Sequence, residues 1–347
     1  MTRVAIIGCG AAGAATAYVL GATDTDCVVF ERRESPGGRA ATRRRETASG
    51  TVTYDYGANY LETEDDRVTD LVETVAAPRD TPGPIYTFDG DGTVTPGRDA
   101  DEQKLSTPDG VTALVRRLVA DSDATLRPDT PVTRLHHETA SDGADEWVVE
   151  TPNGDHGPFD AVVCTPPAPV TATLLADSEW DEPVRDRLVA AARDVPYATV
   201  WSVVAGYERA LDRPYYALVD TSDDHSVGWI ARESRKPGHV PSGEVLLVQG
   251  AHDWSARHAD AEATDVTAAL VEAAGSVINE PWLRDPDWTD ATLWERALPE
   301  GRLVPGPRRA AEAAGCYVAG DWVVGEGRLH AALRSGLDVA ERLVYGL

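Results

Sequence analysis

Three glycines near the start of the sequence are spaced to hold a phosphate group. Gly8, Gly10 and Gly13 follow an apolar run and open an alanine-rich one, which is the strand, turn and helix context that such a site requires. The first glycine permits the tight turn, the second lets the backbone approach a pyrophosphate, and the third lets helix and strand pack closely. The helix N-terminus adds free N–H groups and a partial positive charge. Glu31, after the next apolar run, is positioned to accept hydrogen bonds from a ribose, so the motif predicts a site for an ADP moiety.

Two further motifs bear on which ADP-containing cofactor is bound. The run ERRESPGGR, which ends at Arg39, resembles the signature of FAD enzymes of the amine-oxidase and glutathione-reductase-like class. In that class the paired glycines, here Gly37 and Gly38, let the chain pass close to the pyrophosphate, and the arginine neutralises charge or touches the flavin. CYVAGDW resembles the segment whose aspartate, here Asp321, binds the ribityl chain of FAD. The following helix would direct its N-terminal dipole at the flavin. The resemblance implies FAD, and a single GxGxxG predicts no separate nicotinamide-cofactor domain.

Longer stretches resemble one group in particular, the renalase-like flavoproteins, which are relatives of amine oxidases. The similar stretches keep their order along the chain; they are YDYGANYLETEDDR (54–67), SVGWIARESRKPG (226–238), HDWSARH (252–258), LWERALP (293–299) and AGDWVVGEGRLHAALRSG (319–336). The resemblance implies hydride transfer from isomeric dihydronicotinamide dinucleotides to flavin N5, followed by reduction of oxygen to hydrogen peroxide. The protein would stack a flat substrate against the flavin and exclude water.

The motif and the resemblance together give the candidate site residues. Because hydride transfer needs no acid, base or nucleophile from the protein, the candidate catalytic residues are mainly pocket walls. They are Asn59, Tyr60, Trp229, Gln249, Trp294 and, on the flavin-facing helix, His330. The candidate cofactor-binding residues are Gly8, Gly10, Ala11, Ala12, Gly13, Glu31, Arg32, Gly37, Gly38, Arg39, Gly57, Ala58, Asn59, Val132, Thr165, Gly320, Asp321, Arg328 and Leu329. No metal site is predicted.

Three points about these candidates stay open. A tryptophan in a strand is more often a core residue than a pocket wall. Gln249 stands where bacterial relatives carry histidine, and His330 stands where relatives often carry an acid, so substrate preference is open. Amine oxidases of this fold commonly place a lysine near flavin N5, and neither Lys104 nor Lys236 is a convincing match.

The composition is strongly acidic. The chain has 58 acidic against 32 basic residues and a formal charge of −26, and only Lys104 and Lys236 are lysine. This balance resembles that of proteins from salt-loving microbes, where about 1 M salt screens repulsion beyond roughly 3 Å. A field of this sign repels phosphate, so nucleic acid is not an expected partner. Arg39 and the run Arg43 to Arg45 are the exception, and we interpret them as part of the cofactor motif.

The sequence predicts a soluble, cytoplasmic protein. Its four cysteines are widely spaced and lie in or beside apolar runs, which indicates buried hydrophobic residues in a reducing compartment. No apolar run approaches the roughly 20 residues that span a bilayer. The expected partners are therefore a small dihydronicotinamide-like substrate and oxygen, without a membrane.

At 347 residues the chain is expected to form two domains of the α/β class. The first is a Rossmann FAD domain similar to those of glutathione reductase and p-hydroxybenzoate hydroxylase, covering 1–77, 102–166 and 295–347. The second is an α+β substrate domain covering 78–101 and 167–294. Within the first domain we expect a three-strand meander over 131–135, 147–150 and 161–164, and a helix capped by Asp109.

Two rival functions remain open. One is an amine oxidase or desaturase acting on amines, carotenoids or porphyrinogens, although three phenylalanines and one methionine argue weakly against a broad apolar tunnel. The other is a non-catalytic flavoprotein that uses FAD as a structural or redox-sensing element. The donor that reduces the flavin would distinguish all three.

Overall fold

Strands and helices alternate along the chain as an α/β protein requires. The computed structural model describes residues 2–62, 64–97, 104–139, 145–222 and 224–346. The strands are β1 (Thr2–Ile7), β2 (Thr25–Phe30), β3 (Thr42–Thr47), β4 (Gly50–Asp55), β5 (Arg79–Asp80), β6 (Ile85–Phe88), β7 (Val94–Pro96), β8 (Leu105–Ser106), β9 (Thr125–Arg127), β10 (Arg134–Thr139), β11 (Asp145–Thr151), β12 (Gly154–Phe159), β13 (Ala161–Cys164), β14 (Tyr197–Tyr207), β15 (Ala217–Asp220), β16 (Val227–Arg232), β17 (Glu244–Gly250), β18 (Trp288–Pro299) and β19 (Cys316–Val318). The helices are α1 (Ala11–Gly21), α2 (Asp66–Ala76), α3 (Val111–Ala120), α4 (Ala168–Ala176), α5 (Glu182–Arg193), α6 (His252–Arg257), α7 (Ala263–Ile278), α8 (Pro305–Glu312), α9 (Asp321–Val324) and α10 (Leu329–Gly346), with short 3₁₀ turns at Glu233–Arg235 and Pro281–Arg284.

A five-stranded parallel sheet carries the glycine turn at the carboxyl end of its central strand. The strand order is β19, β13, β1, β2 and β9. The strands β1, β13 and β19 contain apolar runs because both faces of the sheet are covered there, which is usual for parallel sheets, whereas the edge strand β9 is largely exposed. Helices α1 and α10 approach closely, since a Cβ on Gly336 would lie 2.3 Å from the carbonyl oxygen of Ala12. The predicted Rossmann-type α/β fold is confirmed.

The predicted meander exists, but its third strand is a different one. The three-stranded antiparallel sheet has the order β10, β11 and β12. The segment 161–164, predicted as the third strand, is β13 and lies between β1 and β19 in the parallel sheet. β12 is largely exposed and polar, so it has no apolar pattern to mark it. The first strand begins at Arg134 rather than at Pro131.

The second large sheet is mixed and has seven strands. Their order is β18, β14, β17, β16, β15, β6 and β7. One face packs on α7, where Val203 and Val248 meet Leu270. The other face packs on the two-stranded ribbon of β3 and β4, where Val204 and Leu247 share a core with Val52 and Tyr54. The candidate catalytic residues of this sheet, Trp229, Gln249 and Trp294, lie on this second face.

The predicted domain limits stay a proposal, and packing favours moving two of them. Helices α4 and α5 were expected in the substrate domain, yet Leu175 and Leu188 share a core with Ala5 of the parallel sheet. Strand β18 continues through the predicted limit at 294/295 and pairs with β14 as far as Pro299. We therefore propose that the second domain comprises 197–299 together with the segment that starts at residue 78. Residues 98–103 of that connection lie outside the described part of the chain.

Helix α3 is not capped by Asp109, so that prediction is wrong. The residue before the helix is Gly110, which has no side chain to act as a cap. The carboxylate of Asp55, from β4, accepts a hydrogen bond from the Val111 N–H at 3.0 Å instead. Asp109 pairs with Arg44 and Arg117 on the surface. A tertiary contact thus satisfies the helix end that a local residue was expected to satisfy.

Two compositional predictions have structural counterparts. All four cysteines are buried and unpaired, as predicted. In the described ranges no helix combines the length and the apolar character needed to cross a membrane.

Candidate functional site

The glycine turn leaves space where a ligand would have to lie. Gly8 has φ +94°, and a Cβ on Gly13 would lie 2.2 Å from the Gly8 carbonyl oxygen, so the chain itself requires both glycines. Gly10 differs, because its φ of −85° suits any residue and the nearest atom to a Cβ there is 4.0 Å away. Neither strain nor packing explains glycine at this position. A pyrophosphate approaching the backbone does, so the turn fits the ADP part of FAD.

Glu31 lies beside this turn and its carboxylate is held by the backbone. Its Oε2 accepts a hydrogen bond from Cys9 N–H at 2.8 Å, and its Oε1 accepts one from Arg33 N–H at 2.9 Å. Each carboxylate oxygen keeps a second lone pair for a ligand hydroxyl. This donor and acceptor set fits the ribose of the cofactor.

The other predicted cofactor positions lie around the same end of the sheet. The Thr165 hydroxyl lies 2.9 and 3.0 Å from the carbonyl oxygens of Ile7 and Gly8, which share its one proton, and so supports the turn. Ala11 and Ala12 are buried at the start of α1, whereas Arg32 is exposed beyond Glu31. Val132 packs on the core beneath the sheet. Arg328 is exposed and Leu329 is the buried first residue of α10. Their roles toward FAD stay predictions.

The two distant cofactor motifs meet through an ion pair. The guanidinium of Arg39 binds both carboxylate oxygens of Asp321, each at 2.8 Å, although 282 residues separate them. Arg39 also donates to the Ala297 carbonyl oxygen at 2.9 Å. Asp321 accepts a further hydrogen bond from Trp322 N–H. The residue before Asp321 is Gly320, whose φ is +144°. The pairing fixes the relative position of both segments, and contact between Asp321 and FAD stays a prediction.

A turn at Gly57 connects the cofactor segment to the second sheet. A Cβ on Gly57 would lie 2.1 Å from the Arg39 carbonyl oxygen, and that oxygen accepts a bond from Ala58 N–H at 2.9 Å. The Gly57 carbonyl oxygen accepts a hydrogen bond from Asn59 Nδ2 at 2.6 Å and a longer one from Gln249 Nε2 at 3.5 Å. Trp229 Nε1 donates to Asn59 Oδ1 at 2.8 Å. These contacts gather three predicted pocket residues around one carbonyl group.

The sheet register explains why distant residues share this face. Trp229 is opposite Gln249, Gln249 is opposite Ser202, and Ser202 is opposite Thr292, so all four side chains point to the same side. Trp294, two residues beyond Thr292 on β18, stacks on Tyr56 with ring centroids 5.5 Å apart and donates to the Tyr56 carbonyl oxygen. Tyr60 contacts Trp229, with ring centroids 5.9 Å apart. The structure thus brings five of the six candidate catalytic residues together.

In the described part of the chain, His330 makes no hydrogen bond, ion pair or ring contact with these five residues, and its partners are carboxylates. It is buried, its Nε2 lies 2.8 Å from Glu326 Oε1, and its Nδ1 lies 3.5 Å from Glu62 Oε2. Glu64 is a third nearby carboxylate, at 3.7 Å. Although this set could hold a cation, Lys104 pairs with Glu62 and Arg334 pairs with Glu326, so we assign no metal to it.

Sequence reasoning missed a buried ionic cluster behind the Gly57 turn. Lys236 Nζ lies 2.9 Å from Asp55 Oδ2 and 2.7 Å from Glu233 Oε1, and His239 Nδ1 lies 2.8 Å from Glu233 Oε2. All four side chains have no exposed surface. Asp55 stands two residues before Gly57, so the cluster anchors the strand that leads into the site. The sequence signal that could have indicated the cluster is the rarity of lysine, because Lys236 is one of only two lysines in this acidic chain.

The cluster predicts that stability depends on pH through His239. Burial opposes the charged form, but the hydrogen bond and charge of Glu233 raise the pKa of His239 above its ordinary value of 6.5. The stabilisation is therefore complete below about pH 6.5 and is lost as pH rises through the higher folded-state pKa. Urea midpoints measured from pH 6 to pH 9 should fall for the wild type and fall less for His239→Gln. Parallel profiles for the two proteins would contradict this assignment.

Comparison with known proteins agrees with the geometry. Residues 92–344 match the family described as flavin containing amine oxidoreductase, and residues 6–75 match an NAD(P)-binding Rossmann-like domain. Over 100% of this chain and 99% of the other, the fold is similar to that of a protein described as a candidate protoporphyrinogen oxidase from Exiguobacterium sp. 255-15, with 15% identity and a TM-score of 0.79.

Two amine oxidases also share the fold. Putrescine oxidase bound to putrescine has 11% identity and a TM-score of 0.73 over 99% of both chains. Cyclohexylamine oxidase from Brevibacterium oxydans IH-35A has 15% identity and a TM-score of 0.72, also over 99% of both chains. At these identities the likeness establishes the fold, while the family match spans most of the sequence. The chain therefore belongs to the flavin containing amine oxidoreductases and is an FAD-dependent oxidoreductase.

Proposed function

We propose that this enzyme is a renalase-like oxidase, which takes hydride from isomeric dihydronicotinamide dinucleotides and passes the electrons to oxygen. The observation that supports this most is the character of the sheet face at Gly57. Trp229 and Trp294 present indole rings, and Asn59 and Gln249 present amides. Such a surface is complementary to a flat ring that carries a carboxamide.

The side chains on this face are held rigidly, which suits positioning rather than acid or base chemistry. The N–H groups of Trp229 and Trp294 are fixed by Asn59 and by the Tyr56 carbonyl oxygen. Gln249 Nε2 donates to Ser202 Oγ at 3.2 Å, and its Oε1 accepts no bond within the described residues. That oxygen is available to a substrate N–H. We propose that these residues orient the ring and exclude water.

The lysine of this region supports the same reading. Lys236 is held between Asp55 and Glu233 and is fully buried, so it is not free to act on a substrate. FAD, when bound, supplies the hydride acceptor and the route to oxygen. The chain then contributes binding, orientation and the exclusion of water.

An amine oxidase is the second candidate, and one observation favours it. Glu62, Glu64 and Glu326 lie together around His330, and Glu62 is also next to Tyr60. Carboxylates near a pocket would attract a cationic amine. Lys104 and Arg334 offset two of these charges, which makes the attraction weaker.

Anaerobic mixing of the FAD-loaded enzyme with each donor class tests the proposal. Rapid bleaching of the flavin by isomeric dihydronicotinamides, without bleaching by ordinary NADH or amines, is the expected result. Bleaching by amines alone would replace the proposal with the second candidate. If no donor bleaches the flavin, both catalytic proposals fail and the redox-sensing alternative gains support.

A pair of tryptophan variants locates the reaction. Trp229→Leu should slow bleaching about tenfold or more, because the substrate ring loses its wall. Trp282→Leu is the matched control, since Trp282 contacts Arg209 and Tyr207 on the α7 side of the sheet. Equal slowing in both variants would mean that the sheet face at Gly57 is not the site.

A further inference from the structure

Three consecutive arginines on β3 make their side-chain contacts outside the glycine-rich cofactor segments. Their sequence position suggested a role in the cofactor motif, but only Arg39 lies on that segment. Because strand residues alternate, Arg43 and Arg45 point to the seven-stranded sheet and Arg44 points away. Arg44 pairs with Asp109 on the surface, at 3.0 Å. The two sheet-facing arginines need a separate explanation.

These two arginines are interleaved with aromatic rings along the edge of the sheet. The Arg43 guanidinium lies 4.1 Å from the Tyr56 ring centroid, and the Arg45 guanidinium lies 4.7 Å from that of Trp288. Tyr56 stacks on Trp294, and the Tyr54 and Trp288 rings are 5.5 Å apart. We name this set the arginine–aromatic ladder: Trp294, Tyr56, Arg43, Tyr54, Trp288 and Arg45.

The ladder runs outward from the proposed substrate pocket. Its inner end is Trp294, which contacts the Gly57 turn, because a Cβ on Gly57 would lie 3.3 Å from the indole. Its outer end is Trp288, six residues earlier on the same strand and on the same side. At the usual rise per residue this is about 20 Å. A small amine at Trp294 would not reach along the ladder, whereas a dinucleotide whose dihydropyridine ring lies at Trp294 would extend its phosphates in the direction of Trp288.

The charges of the ladder leave one cation available. Arg43 is neutralised by Asp290, which also accepts a bond from the Tyr54 hydroxyl at 2.9 Å. The Arg45 side chain is exposed, and among the described residues it has neither an ion pair nor a side-chain hydrogen bond. Its ring contact with Trp288 holds the guanidinium plane while leaving the N–H edge free. A guanidinium edge binds phosphate oxygens in a bidentate manner.

We propose that the arginine–aromatic ladder binds the diphosphate of a dinucleotide substrate, with Arg45 as the phosphate-binding residue. This inference rests on the proposed function, since it places the dihydropyridine ring at Trp294 and the phosphates toward Trp288. Arg45 then determines specificity, because it favours a diphosphate-bearing substrate over the same ring on a riboside.

Binding of ADP to the oxidised, FAD-loaded enzyme tests the ladder without turnover. Tryptophan fluorescence at low salt should report ADP binding in the wild type, about tenfold weaker binding in Arg45→Gln and unchanged binding in Arg44→Gln. Adenosine, which lacks phosphate, should bind much more weakly than ADP. The proposal is overturned if ADP does not bind, if Arg45→Gln binds it normally, or if adenosine binds equally well.

A substrate comparison connects the ladder to the reaction. The ratio of kcat/KM for the isomeric dihydronicotinamide dinucleotide to that for its riboside should fall about tenfold in Arg45→Gln and stay constant in Arg44→Gln. An unchanged ratio in Arg45→Gln contradicts the proposed phosphate-binding role of Arg45. If ADP binds as expected but no dihydronicotinamide bleaches the flavin, the phosphate site stands and the proposed function alone fails.

Discussion

Lys236→Met is expected to lower the free energy of unfolding by about 3–5 kcal/mol. The substitution keeps most of the side-chain volume but removes the cation that Asp55 and Glu233 share at 2.9 and 2.7 Å. His239 would then be the only basic side chain left in the cluster with two buried carboxylates. Because Asp55 also accepts bonds from Thr42 and Val111, the loss should spread into the strand before Gly57. Urea unfolding of the FAD-loaded enzyme measures the effect.

Arg235→Gln is the matched control for this cluster. Arg235 is the preceding residue, partly exposed, and its guanidinium donates one hydrogen bond to the Pro82 carbonyl oxygen at 3.0 Å. Its replacement should change stability by no more than about 1 kcal/mol. If Lys236→Met is as mild as this control, the buried cluster does not hold the site together.

Gly10→Ala is expected to weaken FAD binding about tenfold or more while leaving the apoprotein as stable as the wild type. The φ of −85° suits alanine, and the nearest atom to the new Cβ is 4.0 Å away, so the chain accommodates the methyl group. The methyl group would instead occupy the space that a pyrophosphate needs, and overpacking of this kind costs about 1–3 kcal/mol. Titration of apoprotein with FAD gives the affinity, and urea unfolding gives the stability.

Two other glycine-to-alanine variants serve as controls for Gly10→Ala. Gly13→Ala should destabilise the apoprotein itself, because its Cβ would lie 2.2 Å from the Gly8 carbonyl oxygen. Gly306→Ala, on α8, has no atom within 4 Å of its Cβ, so it should leave FAD affinity unchanged and should not destabilise the apoprotein. Normal FAD binding by Gly10→Ala would show that the pyrophosphate lies elsewhere.

Local patterns predicted the parallel sheet better than the meander. β1, α1 and β2 were predictable because apolar runs and the glycine turn follow each other within about thirty residues. β12 was not, because its residues GDHGPF pair with β11 through the backbone and carry little apolar signal. The helix cap at Val111 was also unpredictable, since its acceptor, Asp55, is 56 residues away.

The sequence by itself determined the ADP site and the family, since these depend on glycines, an acid and ordered motifs that act locally. It also gave candidate substrate-pocket residues, because Asn59, Trp229, Gln249 and Trp294 lie in the family-like stretches or beside one. Only the tertiary structure decided that these residues share one sheet face, that Lys236 is committed to a buried ion cluster, and that Arg43 and Arg45 form a ladder with aromatic rings. Strand register and burial set these relations between residues far apart in the chain, and no local pattern encodes them.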